Sequence, residues 1–106
     1  MTDNKSGEIL IIEDDKDIND LLATALSKAG YMTRQAWSGT EGELLLKLER
    51  EAYALVLLDL MLPGLSGEEL LARIRQMDAS IPVIILTAKD ELDELSLIHI
   101  SEPTRL

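Results

Sequence analysis

Four short strand-like segments, separated by helix-like segments, constrain the fold of this chain more than any other feature of its sequence. Three are apolar runs, Glu8–Ile12 and residues 54–60 and 81–87, and the fourth, residues 31–37, is polar enough to predict an edge strand. Between them, apolar residues recur at the three- and four-residue spacing of amphipathic helices. Strands that alternate with helices are typical of βαβ units built around a parallel sheet. The run 54–60 is the most continuous, which predicts a central strand of that sheet.

The helix-like segments carry their own start and stop signals. Gly30 stands where a helix C-cap is expected. Ser38 with Glu41 has the spacing of a capping box, and Ser66 with Glu69 repeats it before the third helix. The first helix is predicted to place six apolar residues on one face: Ile18, Leu21, Leu22, Ala25, Leu26 and Ala29.

Composition narrows the class of protein. The 106 residues suit one domain, and we expect residues 1–7 to form a disordered or flexible N-terminus. Twenty acidic against ten basic residues give a net charge of −10, which argues against a nucleic-acid or anionic-membrane surface. The absence of Cys excludes a disulfide scaffold and a thiolate metal site. No apolar run reaches the roughly 18 residues of a membrane span, so a cytoplasmic, soluble domain is expected.

Acidic side chains follow two of the predicted strands. Glu13, Asp14 and Asp15 come directly after the first strand, and Asp59 lies near the end of the third. Right-handed crossovers place strands one and three side by side, so Glu13, Asp14 and Asp59 are expected to converge at one sheet edge. Carboxylates brought together in this way repel unless a cation lies among them, and an all-oxygen site suits Mg²⁺.

Each of these residues, taken alone, has an ordinary structural explanation. An acidic run after a strand is usually a solvated loop or a helix N-cap, and Thr87 could be a simple strand residue. Asp59 is harder to explain in this way, because a carboxylate that ends a strand of Leu and Val needs a charge partner. The occurrence of these acids together at strand ends favours a binding site.

The segments around the acids resemble the receiver domain of bacterial two-component response regulators. The likeness is carried by residues 9–15 (ILIIEDD), 57–64 (LLDLMLPG) and 83–88 (VIILTA), and it covers roughly residues 8–94. It implies a flavodoxin-like α/β fold with a parallel sheet in the strand order 2-1-3-4. The stretches EDD, DLMLPGLSG and TAKDE are most similar to receivers of winged-helix transcriptional regulators, although no DNA contact by this chain is expected.

The resemblance also implies a role for each site residue. Asp59 would be the phosphoacceptor, taking a phosphoryl group from a phosphohistidine of a sensor histidine kinase. Glu13 and Asp14 would hold Mg²⁺ together with Asp59, and Met61 would contribute its backbone carbonyl. Thr87 would be the switch hydroxyl that bonds the transferred phosphoryl group. The chain would then be a signalling module rather than a turnover enzyme.

The resemblance ends before the chain does. We expect residues 8–94 to form an incomplete receiver that lacks the family's fifth strand, its lysine and the last helices, with phosphorylation impaired as a result. Residues 95–106 resemble translated sequencing-adapter DNA and are interpreted as a non-native tail, either an added edge strand or disordered. An uncovered strand edge predicts a homodimer, formed by edge pairing or by swapped elements.

Two other functions stay open from the sequence. The first is an Mg²⁺-dependent phosphatase or phosphotransferase, which also uses an aspartate nucleophile at a strand end. Such enzymes usually have a second acid two residues later, where this chain has Met61. The second is an inert fragment. Phosphorylation of Asp59 would exclude the inert fragment, and repeated turnover of small phosphate esters would favour the enzyme.

Overall fold

A computed structural model describes residues 7–86 and the backbone of residues 98–101. Strands and helices alternate through most of this part of the chain, as the sequence predicts. In chain order the elements are β1 (Glu8–Ile12), α1 (Lys16–Lys28), β2 (Thr33–Ala36), α2 (Gly39–Glu49), a 3-10 turn (Arg50–Ala52), β3 (Tyr53–Asp59), α3 (Gly67–Met77), β4 (Val83–Leu86) and β5 (Ile98–Ser101).

The strands form one sheet in the order β2-β1-β3-β4-β5. The first four strands pair in parallel, which confirms the predicted order 2-1-3-4. The last strand, β5, pairs with β4 in antiparallel orientation. An added edge strand was one of the two arrangements considered for the tail. The residues on either side of β5 lie outside the described part of the chain, so the expectation for the whole tail, residues 95–106, stays a prediction. Residues 1–6 also lie outside it, and the expectation for residues 1–7 stays a prediction as well.

Alternation along the strands supplies two apolar layers, one on each face of the sheet. On one face, Leu10 and Ile12 pack with buried residues of α2 and α3, including Leu46 and Leu70. The other face has a smaller cluster, which consists of Ile9, Ile11 and Leu57 and is covered by α1. The sheet is therefore enclosed between α1 on one side and the α2–α3 pair on the other.

Two strands are shorter than the segments predicted for them. Residues 31–37 form a strand only over Thr33–Ala36, because the Tyr31 N–H bonds the Leu26 carbonyl at 3.0 Å and thereby completes the end of α1. The run 81–87 forms β4 only from Val83. Pro82 has no N–H for the ladder and contributes only its carbonyl, which accepts from the Val56 N–H at 3.1 Å.

The predicted helix ends are largely confirmed. Gly30 follows the C-cap of α1 with φ +101°, a left-handed conformation that glycine adopts without strain. Ser66 and Glu69 form the predicted capping box of α3. At α2 only half of the box is present, because the Glu41 carboxylate accepts from the Trp37 N–H at 2.8 Å instead of from Ser38.

The apolar face predicted for α1 is wrong in part. Leu22 and Leu26 pack on the sheet, but Ile18 and Leu21 are exposed, at 40% and 68%. The stripe that faces the sheet instead contains the buried Asn19 and the half-buried Leu22, Ala23 and Leu26, with the i, i+3, i+4, i+7 spacing. The helix is rotated relative to the prediction because a polar residue, Asn19, points inward. In the described residues none of the helices has the length and apolarity needed to cross a bilayer.

Candidate functional site

Three acidic side chains meet at the carboxyl edge of the parallel strands. Glu13 and Asp14 follow β1 directly, and Asp59 is the last residue of β3. One carboxylate oxygen from each of the three residues lies within 4.8 Å of the others. Glu13 and Asp59 are buried, at 4% and 9% exposure, while Asp14 is exposed. The convergence predicted from the sequence is therefore present in the structure.

The sheet register explains why these residues meet. Ile12 of β1 pairs with Leu58 of β3, so the next residue of each strand, Glu13 or Asp59, reaches the same level of the sheet. The Glu13 N–H continues the ladder to the Ala36 carbonyl of β2 at 3.1 Å. On the other side, Asp59 pairs with Leu86 of β4. Parallel strands that end at one level place the side chains that follow them at one edge.

Backbone donors fix two of the carboxylates locally. The Asp15 N–H donates to Glu13 Oε2 at 2.9 Å, and the Met61 N–H donates to Asp59 Oδ1 at 3.0 Å. Asp15 then caps α1, since its carboxylate accepts from the Ile18 N–H at 3.1 Å. These bonds orient the carboxylates toward each other at the turns that leave β1 and β3.

The electrostatics of the cluster are unfavourable without a cation. Burial raises the pKa of Glu13 from 4.5 to about 7, although the hydrogen bond from the Asp15 N–H acts to lower it. The neighbouring Asp59 raises the Glu13 pKa further through a side-chain hydrogen bond and its charge, and Asp14 adds a smaller repulsion. A divalent cation at this position would favour the charged form of Glu13, which burial and the neighbouring carboxylates disfavour.

The donor set fits a hard cation. All three converging side chains offer oxygen, which suits Mg²⁺, and none offers the nitrogen or sulfur that zinc prefers. Met61 follows Asp59 by two residues and its side chain is exposed, which is compatible with a backbone carbonyl ligand at the rim of the cluster. The sequence prediction for Thr87 cannot be compared, because Thr87 lies outside the described residues.

Two residues near the cluster were missed by sequence reasoning. Gly67, at the start of α3, lies so close to the end of β3 that a Cβ there would come within 2.5 Å of the Asp59 carbonyl oxygen. Asn19 donates hydrogen bonds to the carbonyls that end β1 and β2. A polar residue within the Leu22, Ala23 and Leu26 stripe was the signal available for Asn19. Gly67 ends the DLMLPGLSG stretch, but nothing in the sequence pattern pointed to its contact with Asp59, because that contact depends on the packing of α3.

Comparison with known proteins identifies the family of this fold and site. The sequence profile described as the response regulator receiver domain matches residues 9–98. The chain belongs to the response regulator receiver family. The match extends beyond residue 94, where the resemblance was expected to stop. The sheet and its acidic cluster are therefore those of a receiver domain. The curated relatives include proteins named as transcriptional regulators.

Two relatives and one solved structure illustrate the likeness. A transcriptional regulatory protein of Bacillus subtilis, YkoG, is 46% identical over 85% of this chain and 39% of its own length. Sporulation initiation phosphotransferase F of the same species is 39% identical over 91% of this chain and 82% of its own length. The response regulator TrrA of Thermotoga maritima, solved in complex with Mg²⁺–BeF, has 33% identity and a TM-score of 0.71, over 86% of this chain and 77% of that one. This receiver chain spans about two-fifths of the length of YkoG.

Proposed function

We propose that this receiver accepts a phosphoryl group on Asp59 from the phosphohistidine of a sensor histidine kinase. The observation that carries the proposal is the convergence of Glu13, Asp14 and Asp59, whose oxygens lie within 4.8 Å of one another. A strand-end carboxylate that is buried beside two others is well placed for phosphoryl transfer assisted by a cation. Burying such a carboxylate costs free energy, and without a cation no positive charge in the cluster offsets that cost.

The transfer replaces a phosphorus–nitrogen bond of the donor with a phosphorus–oxygen bond to Asp59. An Asp59 carboxylate oxygen forms a bond to phosphorus as the phosphorus–nitrogen bond of the donor breaks, and the imidazole leaves with that electron pair. The product is an acyl phosphate on Asp59. The Met61 N–H, bonded to Asp59 Oδ1 at 3.0 Å, holds the carboxylate in place. The neighbouring turn holds Glu13 in the same way through the Asp15 N–H.

Glu13, Asp14 and Asp59 would hold Mg²⁺, with Met61 contributing its backbone carbonyl. The metal supplies positive charge between an anionic nucleophile and an anionic phosphoryl group, which otherwise repel each other. The Thermotoga relative was solved with Mg²⁺–BeF, which supports extending a magnesium site to this chain. Thr87 is carried into the proposal from the resemblance alone, as the hydroxyl that bonds the phosphoryl group after transfer.

The partners follow from the same reasoning. A sensor kinase is the donor, and the relatives named as transcriptional regulators support a parent protein that controls transcription. The acidic composition, with a net charge of −10, opposes direct DNA contact by this chain itself. The receiver therefore acts as the switch, and a separate output would carry the DNA contact.

The first experiment is intact-mass spectrometry after incubation with Mg²⁺ and acetyl phosphate. We expect the wild-type chain to gain one phosphoryl group and Asp59→Asn to gain none. Asp17→Asn is the matched control, since it removes the same charge from an exposed position on α1 and is expected to be phosphorylated like the wild type. A phosphorylated Asp59→Asn, or a wild type that binds Mg²⁺ without gaining mass, would contradict the proposal. The rate of the mass gain tests the separate expectation that phosphorylation of this chain is impaired.

A further inference from the structure

Three polar or charged side chains are buried within residues 7–86: Glu13, Asn19 and Asp59. Two of them belong to the carboxylate cluster, which gives a reason for their burial. Asn19 is completely buried, at 0% exposure, and belongs to α1. A buried amide is retained only where its hydrogen bonds are made, because each lost bond costs about 1–3 kcal/mol. The position of its partners therefore indicates what Asn19 does.

Both donors of Asn19 are bound to the ends of two strands. Its Nδ2 donates to the Glu13 carbonyl at 2.9 Å and to the Ala36 carbonyl at 3.0 Å. The same Ala36 carbonyl accepts from the Glu13 N–H at 3.1 Å. Asn19 thus continues the β1–β2 ladder beyond its last backbone bond and holds Glu13 through its backbone carbonyl.

The acceptor of Asn19 is also used. Gln35 of β2 donates from Nε2 to Asn19 Oδ1 at 2.9 Å and to Asp20 Oδ1 at 2.9 Å. Two carbonyl acceptors on one side and an amide donor on the other permit only one orientation of the Asn19 side chain. A fixed amide of this kind sets the position of the groups that it binds.

We infer that Asn19 is a positioning residue of the carboxylate cluster, which fixes the turn from β1 to α1 so that Glu13 and Asp14 face Asp59. The inference rests on the proposed magnesium site, because the function of the positioning is to bring these carboxylates to one cation. Residues that orient metal ligands through hydrogen bonds typically change metal affinity 10- to 100-fold when they are replaced. Asn19 acts on Glu13 through its backbone carbonyl, since the Asn19 side chain is bonded to Glu13, Ala36 and Gln35 and to none of the three carboxylates.

The experiment compares Asn19→Leu with Ile74→Val in two measurements. Leu retains much of the side-chain volume and removes all three hydrogen bonds, while Ile74 lies in the core on the opposite face of the sheet. Titration calorimetry with Mg²⁺ alone, at a temperature where both variants are folded, is expected to show at least tenfold weaker binding for Asn19→Leu. Ile74→Val is expected to bind Mg²⁺ like the wild type.

The second measurement needs no metal. The Asp15 N–H bonds Glu13 Oε2, so its amide proton shift in NMR spectra of the metal-free protein reports the position of the Glu13 carboxylate. We expect this shift to change in Asn19→Leu and to be retained in Ile74→Val. If the wild type does not bind Mg²⁺, the proposed function fails, and the Asp15 shift still decides whether Asn19 positions Glu13.

Two more variants keep the inference testable if Asn19→Leu does not fold. Asn19→Ser retains one hydroxyl donor, and Gln35→Leu removes the donor to Asn19 Oδ1 and Asp20 Oδ1 while both bonds from Asn19 to the strand-end carbonyls stay. We expect Asn19→Ser to weaken Mg²⁺ binding more than Gln35→Leu does, because only the first loses a bond to the strand-end carbonyls. An Asn19 variant that is less stable, yet has the wild-type Mg²⁺ affinity and the wild-type Asp15 shift, would overturn the inference.

Discussion

At the scale of single residues, the acidic side chains that suit cation binding lower the stability of the metal-free folded protein. Glu13 is buried beside Asp59, and the raised pKa of Glu13, about 7, records the cost of charging it there. Because the unfolded chain has no such cluster, this cost falls on the folded state alone. The favourable bond from the Asp15 N–H offsets only part of it.

Because of this cost, we expect the free energy of unfolding to depend on pH in the wild type, and we expect Glu13→Gln to remove that dependence. Between pH 4.5 and about 7 the folded protein binds more protons at Glu13 than the unfolded chain does, so this residue's contribution to the free energy of unfolding falls as pH rises. Above pH 7 in EDTA, we expect Glu13→Gln to be more stable than the wild type, by roughly 1–2 kcal/mol after discounting the full shift for solvent screening. The advantage should disappear near pH 4.5.

Urea denaturation at a series of pH values measures this difference. Gln retains an oxygen that can accept from the Asp15 N–H, so the comparison isolates the charge rather than the turn. A constant difference between the two proteins from pH 4.5 to pH 8 would show that Glu13 does not titrate in this range.

At the scale of elements, the strands were the most predictable part and the faces of the helices the least. The first strand has the predicted bounds, Glu8–Ile12, because a short apolar run between polar segments has one good arrangement in a sheet. The face of α1 was misassigned because the pattern of apolar residues gave no reason for Asn19 to point inward. That reason lies in Ala36, 17 residues further along the chain, whose carbonyl needs the donor.

The start of α3 shows how an element can set the site without contributing a side chain to it. A Cβ at Gly67 would lie 2.5 Å from both the Asp59 carbonyl oxygen and the Leu60 Cα, which are backbone atoms that cannot rotate away. We expect Gly67→Ala to lower the free energy of unfolding by about 1–3 kcal/mol. Phosphorylation of Asp59 by acetyl phosphate should slow several-fold, because the end of β3 must shift.

Gly42→Ala is the control for that variant. The Cβ at Gly42 would meet the Ile12 side chain, with Cδ1 at 2.4 Å, so it also overpacks the core but does not touch the backbone of Asp59. Urea denaturation and the rate of mass gain should therefore separate the two variants: both lose stability, and only Gly67→Ala loses phosphorylation rate in its folded fraction. Equal rates in the two variants would contradict this role of Gly67.

At the scale of the whole molecule, the position of the site was predictable because it follows from topology. Once strands one and three are neighbours, the acids after Glu8–Ile12 and at the end of β3 must meet, whatever the details of packing. The supporting hydrogen bonds could not be predicted, since they join segments whose distance depends on how the helices pack. In the described chain β2 and β5 are the outer strands of the sheet, and association of two chains through such an edge stays a prediction.

The net charge of −10 makes the whole molecule sensitive to any cation, so a specific magnesium site must be separated from general screening. NaCl should raise the melting temperature gradually as it screens the repulsion among the acidic groups. At matched ionic strength, Mg²⁺ should raise the melting temperature further, along a binding curve. The corresponding gain in the free energy of unfolding is about 2.7 kcal/mol at a Mg²⁺ concentration of a hundred times the Kd.

Two variants separate the specific site from screening. Asp14→Asn should lose the further increase with Mg²⁺ and keep the response to NaCl, because Asp14 is an exposed member of the cluster. Asp17→Asn, which removes the same charge outside the cluster, should keep both. If Asp14→Asn and Asp17→Asn respond alike to Mg²⁺, the ion acts as a diffuse screen and the three carboxylates do not form a magnesium site.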